Sequence, residues 1–229
     1  MNEKPIFLIA GGAPGDTRQM AEDFRTALEA CGKPNPKVAY VGTASLDNKV
    51  FFHFLKNPII KAGAGKVTLV PIVNKQLDES AVRKTLSDAD AVFITGGEVE
   101  DGIVWLKKAR LDGFLTDLYR SGKLFFGTSA GAIMMGRHWV HWDKEGDDDT
   151  ASLFDCLNFV PMIFDAHGEK EDWKELKCAL RLLGSGAVGH GLSKGGFFSV
   201  DSEGHMTVYR NAPAVFRNAG GIIQPEGVI

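Results

Sequence analysis

Gly127-Thr128-Ser129-Ala130-Gly131-Ala132 follows the apolar run Lys123-Leu124-Phe125-Phe126 and leads into Ile133-Met134-Met135. The apolar run reads as a buried strand and the segment after it as the start of a helix. A Gly-x-Ser-x-Gly between the two is the pattern of a nucleophile elbow. The turn is so tight that glycines must flank the serine, and the hydroxyl stands clear of the sheet edge. Backbone N–H groups at the start of the following helix point at any oxyanion forming there.

Outward from this motif, short apolar runs alternate with amphipathic stretches. Strands are predicted at Pro5–Ala10, Lys37–Gly42, Val67–Ile72, Ala91–Thr95 and Leu124–Gly127. Between them, helices are predicted over Asp16–Ala30 with Asp16 as N-cap, over Lys49–Ala62 shortened or kinked at Pro58, around Ser80–Ser87, and over Asp101–Arg110 and Leu111–Arg120. Strands without strict alternation, each followed by a helix, predict an α/β three-layer sandwich with a mostly parallel central sheet flanked by helices. Ligands of such sheets sit beyond the carboxyl ends of the strands, where Gly11-Gly12, Gly42, Gly96-Gly97 and Gly127 fall. The second half predicts a short strand at Trp139–Trp142, an acidic loop, an apolar run Phe159–Phe164, a helix Glu171–Leu183, and antiparallel strands near the C-terminus at Ala187–Leu192, Gly196–Val200 and Met206–Tyr209.

The 229 residues, 44% hydrophobic, are most simply one domain spanning 1–229. A net charge of −3 argues against nucleic acid as a partner, and no apolar run has the roughly 20 residues of a membrane helix. Three scattered cysteines and an N-terminus without a signal-like apolar region lead to the expectation of a cytoplasmic protein with reduced thiols. No Cys-x-x-Cys pair occurs, and His138 and His141 fall on opposite faces of a strand, so no metal or other cofactor is expected.

A nucleophilic Ser129 needs a base. His167, at the end of an apolar run that would bring it to the same sheet edge, is the first candidate among six histidines; His190 and His205, late in the chain, are the alternatives of an α/β-hydrolase arrangement. An acid should orient the base, and Asp143, Glu145, Asp147, Asp148, Asp149, Asp165 and Glu169 all compete for that place. The Gly97 N–H, at the end of the neighbouring strand, can pair with that of Ala130 as an oxyanion hole. Glu98 and Glu100 then stand at the pocket rim, facing a cationic substrate group or simply favouring a helix N-terminus.

Thr95-Gly96-Gly97, the elbow, and Leu157–Pro161 leading to Asp165-Ala166-His167 together resemble the peptidase E/cyanophycinase family of serine peptidases, from about Pro5 to about Val200. The resemblance implies a class I glutamine amidotransferase-like fold, Ser129 as nucleophile and His167, 38 residues later, as base, with oxyanion donors at Gly97 and Ala130. It places the acid in the segment after the elbow helix, for which Asp143 is taken ahead of Glu145 and Asp147. Two departures stand out. Glu98 follows the paired glycines where relatives acting on aspartyl substrates often carry Asn or Gln. His167 is followed by Gly168-Glu169-Lys170-Glu171-Asp172-Trp173, in place of Phe and several arginines. The expected activity is a serine-type, exopeptidase- or dipeptidase-like hydrolase acting on a small peptide or isopeptide-like amide, with Glu98 contacting substrate. A homodimer stays open, and the competing reading is a non-catalytic ligand-binding or sensory member of the same fold.

Overall fold

The computed structural model describes residues 3–11, 17–144 and 146–226. Asp16, Gly12 and Glu145, which carry sequence-based expectations, lie outside the described residues. The first half runs β1 (Ile6–Ile9), α1 (Thr17–Glu29), β2 (Lys37–Val41), a 3-10 turn (Thr43–Ser45), α2 (Lys49–Lys61), β3 (Lys66–Val70), α3 (Glu79–Asp88), β4 (Ala91–Ile94), α4 (Val99–Lys108), α5 (Asp112–Arg120), β5 (Leu124–Thr128) and α6 (Ala130–Met134). The second half runs β6 (His138–Trp142), β7 (Ala151–Asp155), β8 (Ile163–Ala166), α7 (Lys174–Leu183), β9 (Val188–Leu192), β10 (Phe197–Val200), β11 (Met206–Arg210), β12 (Ala214–Ala219) and β13 (Ile222–Glu226).

The central sheet has the order β11-β10-β1-β5-β4-β2-β3. Its five strands from the first half are mutually parallel, and β10 and β11 close one edge antiparallel. Successive residues of each inner strand serve opposite cores, which is why these strands show no polar alternation. Ile6, Leu8, Val92 and Ile94 pack with Ile103, Leu106 and Leu115 of α4 and α5. Phe7, Ile9, Ala91 and Phe93 pack with Phe24 of α1 and with Phe52, Leu55 and Ile59 of α2. Phe93 and Phe126 are fully buried, a contribution of about 1.5–3 kcal/mol each. Helix α2 continues through Pro58 to Lys61. The amide missing at Pro58 would have met the carbonyl of Phe54, a residue 43% exposed, so water can serve the orphaned oxygen.

The end of the chain departs from a simple run of antiparallel strands. β9 leaves the central sheet and pairs parallel with β8 and antiparallel with β12, in a second sheet of order β13-β12-β9-β8. β6 and β7 form a separate hairpin. Val140 of that hairpin, Ile163 of β8, Leu176 and Leu180 of α7 and Phe216 of β12 share a third small core. This subassembly carries His167 to the carboxyl-terminal edge of the main sheet. Among the described residues, no helix is long and apolar enough to cross a membrane.

Candidate active site

Ser129 sits between β5 and α6 with φ 51° and ψ −120°, a region that a residue with a side chain rarely adopts. The conformation is fixed from three sides. The Ser129 N–H donates to the Ile9 carbonyl at 2.9 Å, and the Ser129 carbonyl accepts from Ala132 and Ile133 at 2.8 and 3.2 Å. The turn is pressed against the neighbouring strand so closely that a Cβ on Gly131 would lie 2.2 Å from the Ile94 carbonyl oxygen. Only glycine fits there, which is the physical content of the second glycine of the motif. Ser129 makes no side-chain cap to α6, so its hydroxyl is not consumed by the turn it begins.

Gly97 lies beside it, beyond the end of β4. Its φ of 139° and its contact with the 3-10 turn leave no room for a side chain, since a Cβ would stand 1.9 Å from the Ala44 carbonyl oxygen. The next residue, Glu98, donates its N–H to that same oxygen at 2.8 Å and begins α4. Among the described residues, neither the Gly97 N–H nor the Ala130 N–H is taken up by a protein acceptor.

His167 follows β8, with φ 67° and its N–H directed at the Leu192 carbonyl at 3.3 Å. Its ring lies against Gly11, with Cε1 3.8 Å and Nε2 3.9 Å from where a Cβ would stand. Ser129, bonded to Ile9, and His167, packed on Gly11, therefore converge on the same end of β1. No hydrogen bond joins the two side chains among the described contacts. Desolvation by the cleft walls moves the His167 pKa below the ordinary histidine value, opposed by the negative charge of Glu169 and assisted by Lys194. Glu169 itself accepts from the Lys194 N–H at 2.5 Å.

The other carboxylates are distributed as follows. Asp143, just past β6, is 82% exposed and lies 3.5 Å from His141 Nε2. Asp147 accepts from the Asp149 N–H. Asp165 is buried at the end of β8, where its carboxylate accepts from the Ala166 N–H at 2.7 Å. Desolvation, with the nearby charge of Glu175 second, pushes its pKa up to about 7. Of the alternative bases, His190 lies within β9, and His205 pairs with Asp201 at 3.0 Å in an exposed turn.

A cleft of about 750 Å³ opens over this edge. Its walls carry the indoles of Trp139 and Trp142, the imidazoles of His141 and His167, and the carboxyl groups of Glu98, Glu100, Asp165, Glu171 and Glu175, against a single lysine, Lys174. His141 Nδ1 lies 2.9 Å from Glu100, Trp139 Nε1 donates to Glu175 at 3.3 Å, and Lys174 Nζ donates to the Gly146 carbonyl while lying 5.7 Å from the centre of the Trp142 ring. Sequence reasoning placed Glu98 and Glu100 at this rim but considered His141 only as a metal ligand, set it aside, and missed the two tryptophans and Glu175. The alternation of β6 offers a signal for two of these, since Trp139 and His141 share the face opposite Val140, which is turned into the small core, whereas Glu175 joins them only because the hairpin packs on α7. Among the described residues, no cluster of side chains could hold a metal ion.

The comparisons with known proteins agree with this architecture. The model of peptidase family S51 matches residues 6–182. A cyanophycinase of Trichormus variabilis is 30% identical over 179 residues, covering 72% of this chain and 57% of that protein, and a cyanophycinase of a Nostoc species is 29% identical with the same coverage. The chain thus spans a little over half the length of these curated relatives. A peptidase from an acI-B1 actinobacterium superposes with a TM-score of 0.64 at 15% identity, over 98% of this chain and 94% of that one, a likeness of fold. A Listeria monocytogenes protein described as a peptidase E gives 0.62 at 15% identity, over 91% and 99%. Matched by that family model over residues 6–182 and sharing its fold with these peptidase structures, the chain belongs to peptidase family S51, the peptidase E/cyanophycinase family.

Proposed function

We propose that the protein is a serine-type hydrolase that cleaves an amide bond of a short peptide or isopeptide-like substrate. The observation that carries this reading is the Ser129 backbone. A left-handed serine, with its hydroxyl unused and the Gly97 and Ala130 N–H groups open beside it, has the geometry of a nucleophile facing an oxyanion hole. Ser129 Oγ attacks the carbonyl carbon as its proton passes to His167. The carbonyl oxygen, now negative, takes the N–H groups of Gly97 and Ala130. Collapse breaks the C–N bond, with His167 returning the proton to the leaving amine, and water activated by His167 releases the acyl group.

Asp143 is the proposed third member of the triad, and Glu169, whose charge acts on His167, is its competitor. The carboxyl groups of Glu98, Glu100, Glu171 and Glu175, with two indoles, favour a substrate with a cationic group, with Glu98 among its contacts. The non-catalytic, ligand-binding reading draws on one observation, that the Asp143 carboxylate lies against His141, at 3.5 Å.

A fluorophosphonate probe tests the proposal. Ser129 is labelled in the wild type and not in Ser129→Ala, and the labelling rate falls at acid pH with an apparent pKa below 6.5, the ordinary value from which His167 is lowered. Replacing the true acid, in Asp143→Asn or Glu169→Gln, slows labelling by about 10²-fold or more. Folded protein that stays unlabelled at pH 8 would make the ligand-binding reading the better one.

A further inference from the structure

A second groove, of about 670 Å³, is lined in part by Gly97 and by Glu98, and Glu98 also borders the main cleft. Apart from Asp101 of α4, its remaining walls come from the turn after β2 and from the start of α2, chiefly Leu46, Val50, Phe51 and Phe54. Asn48 also borders it, but its side-chain oxygen is occupied in capping α2 through the N–H groups of Val50 and Phe51, both at 3.0 Å. The groove therefore offers an apolar surface, with carboxylates only at one rim.

Two features of this surface run against stability. Leu46 is 51% exposed, Val50 80% and Phe54 43%, a contiguous apolar group left in water. Leu46 also has φ 53° and ψ 42°. The Asp47 N–H donates to the Gly42 carbonyl at 2.9 Å and the Leu46 N–H to the Thr43 carbonyl at 3.0 Å, the paired bonds of a Schellman motif. Leu46 thus holds the left-handed position where glycine is the usual residue, with a side chain that half faces solvent.

We infer that this groove is a substrate subsite, which receives an apolar side chain or acyl chain attached to the carbonyl held at Gly97. The inference rests on the hydrolase reading above. Continuity decides the occupant: Gly97, whose N–H would bind the oxyanion, is also a wall of the groove, and Glu98 borders both groove and cleft, so a chain leaving that carbonyl has the groove's apolar wall next to it. Four apolar side chains fall far short of the roughly 20–30 residues a side that a stable protein–protein contact uses.

The test compares two fluorophosphonates of equal length, one with an alkyl arm and one with an oligo(ethylene glycol) arm. In the wild type, the alkyl probe labels Ser129 at least tenfold faster. Leu46→Asn, in which asparagine tolerates the left-handed backbone, and Val50→Asn each cut that ratio to about threefold or less, with thermal melts confirming that the variants fold. A wild-type ratio near one, or a loss of rate shared equally by both probes in the variants, overturns the subsite. So does sedimentation showing a wild-type dimer that the variants dissolve, which would make the groove an interface between copies. If neither probe labels folded wild type, the hydrolase reading fails and the subsite falls with it.

Discussion

The backbone of Ser129 stores strain, and that strain has a measurable consequence. Holding a serine at φ 51° and ψ −120° costs on the order of 1–3 kcal/mol, which the bonds to Ile9, Ala132 and Ile133 sustain. Glycine occupies the same region freely but has more unfolded-state entropy to lose. Ser129→Gly is therefore expected to be more stable than the wild type by about 1 kcal/mol in urea unfolding, while Ser129→Ala, which keeps the strain, stays within about 0.5 kcal/mol. A Ser129→Gly protein less stable than Ser129→Ala would show that the turn is relaxed. At this scale the sequence was highly legible, because the demand for small residues at Gly127 and Gly131 comes from the few residues of the turn and its immediate neighbour strand. The partner of His167 was not legible. Seven carboxylates lie close enough in sequence to compete, and their positions depend on how a hairpin and a loop fold back.

Elements divide in the same way. The five parallel strands announce themselves through buried runs, because each is apolar on both faces. The second sheet was harder to read. β9 was expected as a strand, but not its parallel pairing with β8 in a separate sheet, and its glycines are the condition for that packing: a Cβ at Gly189 would lie 2.6 Å from Leu176 and one at Gly191 the same distance from Trp173. Hairpin β6–β7 is held to α7 by Trp139 donating to Glu175, by Arg181 against Asp148 at 2.5 Å, and by the small core around Leu176. Exposed ion pairs add little, so the core should dominate the attachment. Leu176 is 1% exposed, and Leu176→Ala is expected to lower stability by about 2–5 kcal/mol. Hydrogen exchange in that variant should rise first in residues 138–155 and 188–192, while β2 and β4 keep their protection. Uniform loss of protection would mean that hairpin and central sheet open as one unit.

Across the whole molecule, the family match ends at residue 182, yet the chain beyond it supplies the last two strands of the central sheet. What fastens that edge is a bidentate ion pair spanning 187 positions. Arg210 Nη1 and Nη2 donate to Asp23 of α1 at 2.8 and 2.7 Å, while its Nε donates to the Gly195 carbonyl at 2.6 Å. No local pattern could have paired these residues, since only the completed sheet brings β11 over α1. The two ends of the pair are unequal: the Asp23 side chain is 5% exposed and that of Arg210 30%. Removing the arginine leaves a carboxylate in a dry site with the Gln19 amide, at 3.2 Å, still donating to it, whereas removing the aspartate leaves a guanidinium that water can reach. Arg210→Met is therefore expected to cost about 3 kcal/mol in urea unfolding and Asp23→Leu about 1–2 kcal/mol. The double variant should lose less than the sum by at least about 1 kcal/mol, because it strands neither charge. Additive losses, or a larger loss from Asp23→Leu than from Arg210→Met, would show that the closing edge is held by its apolar contacts and not by this pair.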